Sequence, residues 1–200
     1  VTVETASEFR YSNPLLNSKT PVIIISQSGE TADSLAALRE AKKLGSKTIS
    51  VVNVANSSIA VESDFVLYTK AGPEIAVATT KAYSAQLAAL YLLAIYLAEK
   101  FKTAEQARLD KLKKELKELN KKVSLTLDCE EQIKRLAEEL KDIDHAYFIG
   151  RGLGYCAAAE GSLKLKEISY IHSEAYAAGE MKHGTISLIE KGTTVIAMNT

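Results

Sequence analysis

The chain has little in it that would hold a secreted domain together or draw it to a charged surface. Only two of its 200 residues are cysteines. Cys129 and Cys156 sit in different contexts, which argues against a disulfide framework and fits a reducing compartment, by default the cytoplasm. There is no net charge either, since 25 Lys and Arg balance 25 Asp and Glu. No long-range field therefore recruits nucleic acid or an anionic membrane, and an anionic ligand has to be held by local groups. The opening VTVETASEF lacks the basic and apolar regions of a signal peptide. The longest apolar stretch, Ala85 to Ala98, is interrupted by Gln86 and falls short of the roughly 20 residues a bilayer core requires. It reads as a buried helix, and no membrane partner is expected. The missing initial Met and the strand that runs into the last residues read as truncation at both ends.

What is present is a globular composition, 46% apolar, enough to bury one large core or two small ones. Val22 to Ile25 is a β-branched run closed by a Ser/Gly turn, and Leu35, Leu38 and Leu44 then recur at helical spacing. Strands are expected at Thr48 to Val54 and Asp64 to Tyr68, with a loop at Asn56 to Ser58 between them. Gly72 and Pro73 mark a turn, and Thr80 to Phe101 reads as one long helix covering the sheet. From Lys102 to Lys141 the composition becomes charged, with Leu109, Leu112, Leu116 and Leu119 three and four apart. This is an amphipathic helical connector packed on a domain face. A second unit follows, with a strand at Ala146 to Ile149, the turn GRGLG, a helix from about Tyr155 to Tyr170 and a strand near Thr193 to Met198. The fold class is α/β with parallel sheets, and the two strand-to-glycine-loop-to-helix units suggest duplication. The boundaries fall at 1–102, 103–142 and 143–200.

Four places invite a chemical reading. Ser26-Gln27-Ser28-Gly29-Glu30-Thr31 lies between a strand and a helix, where unpaired amides and the helix dipole favour an anion. Its hydroxyls can donate to phosphate oxygens, and Gly29 permits close approach. Alternatively Ser28 or Thr31, or Glu30 with Asp33, simply caps the helix. No Lys follows the glycine in the pattern of a nucleotide-binding P-loop, so a monophosphate suits this loop better than a triphosphate. The second loop, with Gly150, Gly152 and Gly154, has Tyr155 where a dinucleotide fingerprint needs its last glycine. The third place is the helix carrying Glu160, Lys164 and Glu167, whose spacing brings all three to one face. A carboxylate beside a partly desolvated ammonium suits proton transfer between adjacent carbons, although an exposed ion pair is the plainer alternative. His172 and His183 bracket SEAYAAGEMKHG, expected to be an irregular loop in which a histidine can shuttle protons. No ligand spacing supports a metal site, and no cofactor is expected.

SQSGETADSLAALREAK, VATTKAYSAQL and EGSLKLKEISYIHSEAYAAGEMKHG together resemble the isomerase half of the glucosamine-6-phosphate synthase family, built from two sugar isomerase (SIS) subdomains of αβα sandwich type. The resemblance runs along nearly the whole chain. It implies conversion of fructose 6-phosphate, with ammonia released from glutamine by a separate N-terminal glutaminase domain, to glucosamine 6-phosphate. It further implies that Ser26, Gln27, Ser28 and Thr31 hold the phosphate of a hexose 6-phosphate and that Thr79, where the family usually has serine, contacts the sugar. Glu167 would move the proton between C1 and C2, Lys164 would assist at the hydroxyl, and Glu160 would orient Lys164. His183 would assist ring opening in the neighbouring subunit's site, which implies a homodimer. The family also has an earlier strand with a Gly-Thr-Ser loop, and a C-terminal lysine that forms an imine with the open-chain sugar. Neither occurs in these residues, so this chain alone is expected to be an incomplete catalyst. Rival readings are a sugar-phosphate-sensing SIS module of a regulator, for which no basic recognition helix is evident, and a fructosamine-phosphate deglycase.

Overall fold

The computed structural model describes residues 1–199, and the chain divides into two compact units. Val1–Ile75 and Thr79–Leu119 form the first; Ala76–Ala78 and the residues from Asn120 onward form the second.

The first unit is built on three parallel strands, β1 (Val22–Ser26), β2 (Thr48–Val52) and β3 (Phe65–Tyr68), in that order across the sheet. Ile24 of β1 and Val52 of β2 lie beneath helix α2 (Ala32–Lys43), whose Ala37, Leu38 and Ala41 are buried. A helix of α2's length is marginal in isolation. Burial of this stripe stabilises it, and Lys42 and Lys43 in its last turn complement the dipole. The loop expected at Asn56 to Ser58 continues into a short helix, α3 (Ser58–Glu62), which adds Ile59 and Ala60 to the same core. A short N-terminal helix, α1 (Ala6–Phe9), packs its Ala6 and Phe9 there too.

Between the starts of β2 and β3, the Asp64 carboxylate accepts from Thr48 N–H and Thr48 Oγ1, both at 2.9 Å, while Lys47 lies at 3.1 Å. The backbone hydrogen bond, the Thr48 hydroxyl and the Lys47 ammonium hold its pKa down at about 2.

The expected buried helix is α4 (Lys81–Phe101), and it is buried on one side only. Ala82, Ala89 and Ile95 are enclosed, whereas Leu87, Tyr91, Leu92 and Tyr96 face out. By length and composition alone α4 is apolar enough to cross a membrane. The connector is three helices, not one: α5 (Gln106–Lys117), α6 (Leu119–Leu127) and α7 (Glu130–Leu140). Only the first behaves as expected, packing Leu109 against α4. In α7 the apolar stripe Ile133, Leu136 and Ala137 is exposed, which departs from the expected connector packed on a domain face.

In the second unit β4 (His145–Gly150) is the central strand, flanked by β5 (His172–Ala177) and β6 (Thr194–Met198), all parallel. Helix α8 (Leu153–Ser169) covers one face. Strand β5 corrects the irregular loop expected there. Its alternate residues Ser173, Ala175 and Ala177 are small, and Ser173 Oγ donates to Ser162 O of α8 at 2.8 Å. The strand is one that only small side chains allow against so close a helix. Residues beyond it form two 3₁₀ turns, Glu180–Lys182 and Thr185–Leu188. The two glycine loops differ in setting, because the first follows a strand at the end of its sheet order and the second follows a central strand.

Candidate functional site

The loop Ser26 to Thr31 leaves the C-terminal end of β1 and enters α2, with Thr31 at the N-cap position. Its hydroxyls are not used as helix caps. Thr31 makes no side-chain capping bond; its Oγ1 lies 3.0 Å from Ser26 Oγ, which also accepts from Gly29 N–H at 3.1 Å. Ser28 Oγ accepts from Glu30 N–H at 3.2 Å. The loop is thus folded on its own hydroxyls at the positive end of α2, the end where a helix leaves its first amides without intrahelical partners. Such an arrangement can hold a small anion.

Glu30 corrects the capping alternative, because it serves a different helix. Its carboxylate accepts from Ser58 N–H and Ser58 Oγ, each at 2.7 Å, at the start of α3. Those two hydrogen bonds, the hydroxyl's first, hold its pKa below the usual carboxylate range. Gly29 O accepts from Ile59 N–H at 2.9 Å, and Gln27 O accepts from Asn53 N–H at 3.1 Å. The loop is therefore pinned to the chain segment after β2. Gly29 has φ +67° and stands so close to that segment that a Cβ would lie 2.0 Å from Ser57 Oγ. The one carboxylate of the loop is accordingly spent before any ligand arrives.

Asn53 anchors a further turn. Its Oδ1 accepts from Ala71 N–H at 2.8 Å and Thr69 Oγ1 at 3.0 Å, and its Nδ2 donates to Gly72 O at 2.7 Å. Gln27, Asn53, Lys70 and Glu74 line an open recess beside the loop. Thr79 lies half-buried two residues before α4 and is not among the residues lining that recess.

In the second unit, α8 brings Glu160, Lys164 and Glu167 together on one face as their spacing predicted. Lys164 Nζ lies 2.5 Å from Glu167 Oε2 and 3.7 Å from Glu160 Oε1, with all three side chains partly buried. Burial works against the Lys164 charge, but the hydrogen bond to Glu167 and the field of both carboxylates outweigh it, so its pKa is raised. At neutral pH it is an ammonium, able to donate a hydrogen bond but not to act as a base. His183 is exposed at the end of the first 3₁₀ turn, and among the described residues its side chain has no hydrogen bond or ion pair with these three. His172 lies 3.5 Å from Glu174 on the β5 face opposite α8. The GRGLG loop is accounted for by packing: a Cβ on Gly150 would lie 2.3 Å from the Gly154 carbonyl. Among the described residues no group of three or more His, Cys, Asp or Glu is placed to hold a metal ion.

The SIS domain family model matches residues 1–96 and 139–200. The chain is 57% identical, over all 200 of its residues, to the glutamine–fructose-6-phosphate aminotransferase [isomerizing] of Clostridium tetani, and 56% identical to that of Caldanaerobacter subterraneus. It spans 33% of the length of each. Among solved structures it is similar to the C-terminal domain of glucosamine-fructose-6-phosphate aminotransferase from Francisella tularensis, with 43% identity and a TM-score of 0.95 over 98% of this chain and 56% of that one. Both the parallel αβ architecture and the family match over most of its residues place the chain in one group: it belongs to the SIS domain family.

Proposed function

We propose that the chain is part of an enzyme that converts fructose 6-phosphate and ammonia to glucosamine 6-phosphate, the ammonia coming from glutamine through a separate N-terminal domain. The observation that carries this reading is the Glu160–Lys164–Glu167 cluster on α8, in a chain more than half identical to relatives named for that aminotransferase. A sensing module needs the loop at Ser26 but has no use for a paired acid and ammonium on a second unit. That difference favours an enzyme.

In this reading Ser26, Gln27, Ser28 and Thr31 hold the phosphate, and Thr79 contacts the sugar. Glu167, hydrogen-bonded by Lys164, takes the proton from one of C1 and C2 and returns it to the other. Lys164 donates to the adjacent sugar oxygen as charge develops there, and Glu160 holds Lys164 in place. The exposed His183 assists ring opening in the partner's site of a homodimer. Two exposed free cysteines accord with a cytoplasmic setting.

Glu167→Gln in the full-length protein tests the assignment. Glutamine is nearly isosteric but cannot take the proton, so binding of the sugar phosphate should stay within about tenfold while turnover falls by at least ~10². Exchange of the C1 or C2 hydrogen with solvent reports proton transfer independently of the nitrogen supply. Exchange at the wild-type rate would show that another group is the base.

A further inference from the structure

Every phosphate-contacting side chain in the reading above is neutral. A phosphomonoester carries about 1.5 to 2 negative charges at pH 7, and a helix N-terminus supplies only about half a positive charge. The loop's carboxylate, Glu30, is occupied by Ser58 and adds no cation. Of the residues lining the adjacent recess, Lys70 is the one that carries positive charge. The other ionised group there, Glu74, accepts from Ala82 N–H at 3.2 Å, so its charge is set against the positive end of α4.

Lys70 is held in an unusual way. It has φ +54°, the left-handed region that side chains other than Gly, Asn and Asp rarely occupy. Asn53 enforces that conformation by gripping Thr69 before it and Ala71 and Gly72 after it, and Asn53 N–H also donates to Gln27 O of the phosphate loop. One side chain thereby ties the lysine's turn to the loop. Among the described residues Lys70 has no hydrogen-bond or ion-pair partner, so nothing within the unit uses the charge that this turn presents.

Resting on the sugar-phosphate reading of the loop, we propose that Lys70 is the specificity-determining cation that selects a doubly charged phosphate beside Ser26 to Thr31, with Asn53 as the positioning residue that presents it. The test is calorimetry on the full-length protein with glucosamine 6-phosphate, and with inorganic phosphate as a second probe, across ionic strength. Lys70→Gln should weaken binding about three- to tenfold at low salt, the range of one solvent-facing charge contact. The gap should close near 1 M salt, where screening acts within about 3 Å. Lys70→Arg should restore affinity. Asn53→Ala should reproduce the loss with the lysine still present, and should add nothing further in the Lys70→Gln background. Equal affinity of wild type and Lys70→Gln at low salt overturns the role of Lys70 alone. A loss that does not shrink with salt overturns it too, since that marks a structural effect. If wild type binds inorganic phosphate but not the sugar phosphate, the sugar reading fails while the Lys70 comparison still decides on phosphate. If wild type binds neither, both readings are overturned.

Discussion

Replacing Gly29 by alanine should cost the first unit more than any other single methyl added to the loop from Ser26 to Thr31, and the cost has two separable sources. The backbone at φ +67° is left-handed, which penalises a side-chain-bearing residue by roughly 1–2 kcal/mol. The new Cβ would also meet Ser57 Oγ at 2.0 Å and Ser57 Cβ at 2.6 Å. Moving Ser57 aside strains a segment whose hydroxyl donates to Val54 O at 3.0 Å, and such overpacking costs about 1–3 kcal/mol. The sum, roughly 2–5 kcal/mol, corresponds to a fall in melting temperature on the order of 10 °C for a chain of this size. A double-mutant cycle separates the sources. Ser57→Gly removes both clashing atoms, so Gly29→Ala in that background should cost only the backbone share, leaving a coupling of about 1–3 kcal/mol. Thermal denaturation followed by circular dichroism reads all four proteins. If Gly29→Ala is equally destabilising with and without the Ser57 side chain, the close approach of the two loops is not what requires glycine.

Removing the hydroxyls of the loop, Ser28→Ala with Thr31→Ala, should weaken glucosamine 6-phosphate binding by about 1–3 kcal/mol in calorimetry, as expected for hydrogen bonds to a charged group; unchanged affinity would remove the loop from the site. If His183 serves the partner's site, His183→Ala protein mixed with Glu167→Gln protein should regain part of its activity through heterodimers, and no recovery despite proven subunit exchange would count against a shared site. Asp64, depressed to about 2 by Thr48 and Lys47, contributes stability that is present above its ordinary value near 4 and lost as pH falls toward 2. Asp64→Asn should therefore flatten the acid side of the melting profile between about pH 4 and 2; an unaltered acid limb would show that this carboxylate is not the one being titrated.

Much of the architecture could be read from residue patterns because the relevant information was local. The β-branched run at Val22, the helical spacing of Leu35 and Leu38 and the four-and-three spacing on α8 each report a periodicity that burial then used. Strand β5 escaped because the residues it turns toward α8, Ser173, Ala175 and Ala177, are small enough for a close helix and carry little strand preference. Helix α3 was too short for periodicity to register. In the site, spacing alone was enough to bring Glu160, Lys164 and Glu167 to one face. The roles of Glu30 and Asn53 were not legible, since their partners Ser58, Ala71 and Gly72 lie many residues away and only the parallel sheet brings them near. The exposure of α7 was equally hidden, because an apolar stripe says which face is sticky and not what is there to cover it.

The order β5-β4-β6 also bears on how the second unit assembles. Strand β4 meets β5 across a single helix, α8, whereas it meets β6 only after both 3₁₀ turns have been laid down. Closing the shorter span costs less chain entropy and joins the two strands to the helix that covers them. The face of α8 that carries Glu160, Lys164 and Glu167 is thus expected to take shape in the first collapse of this unit, with β6 zipping onto a sheet edge that already exists.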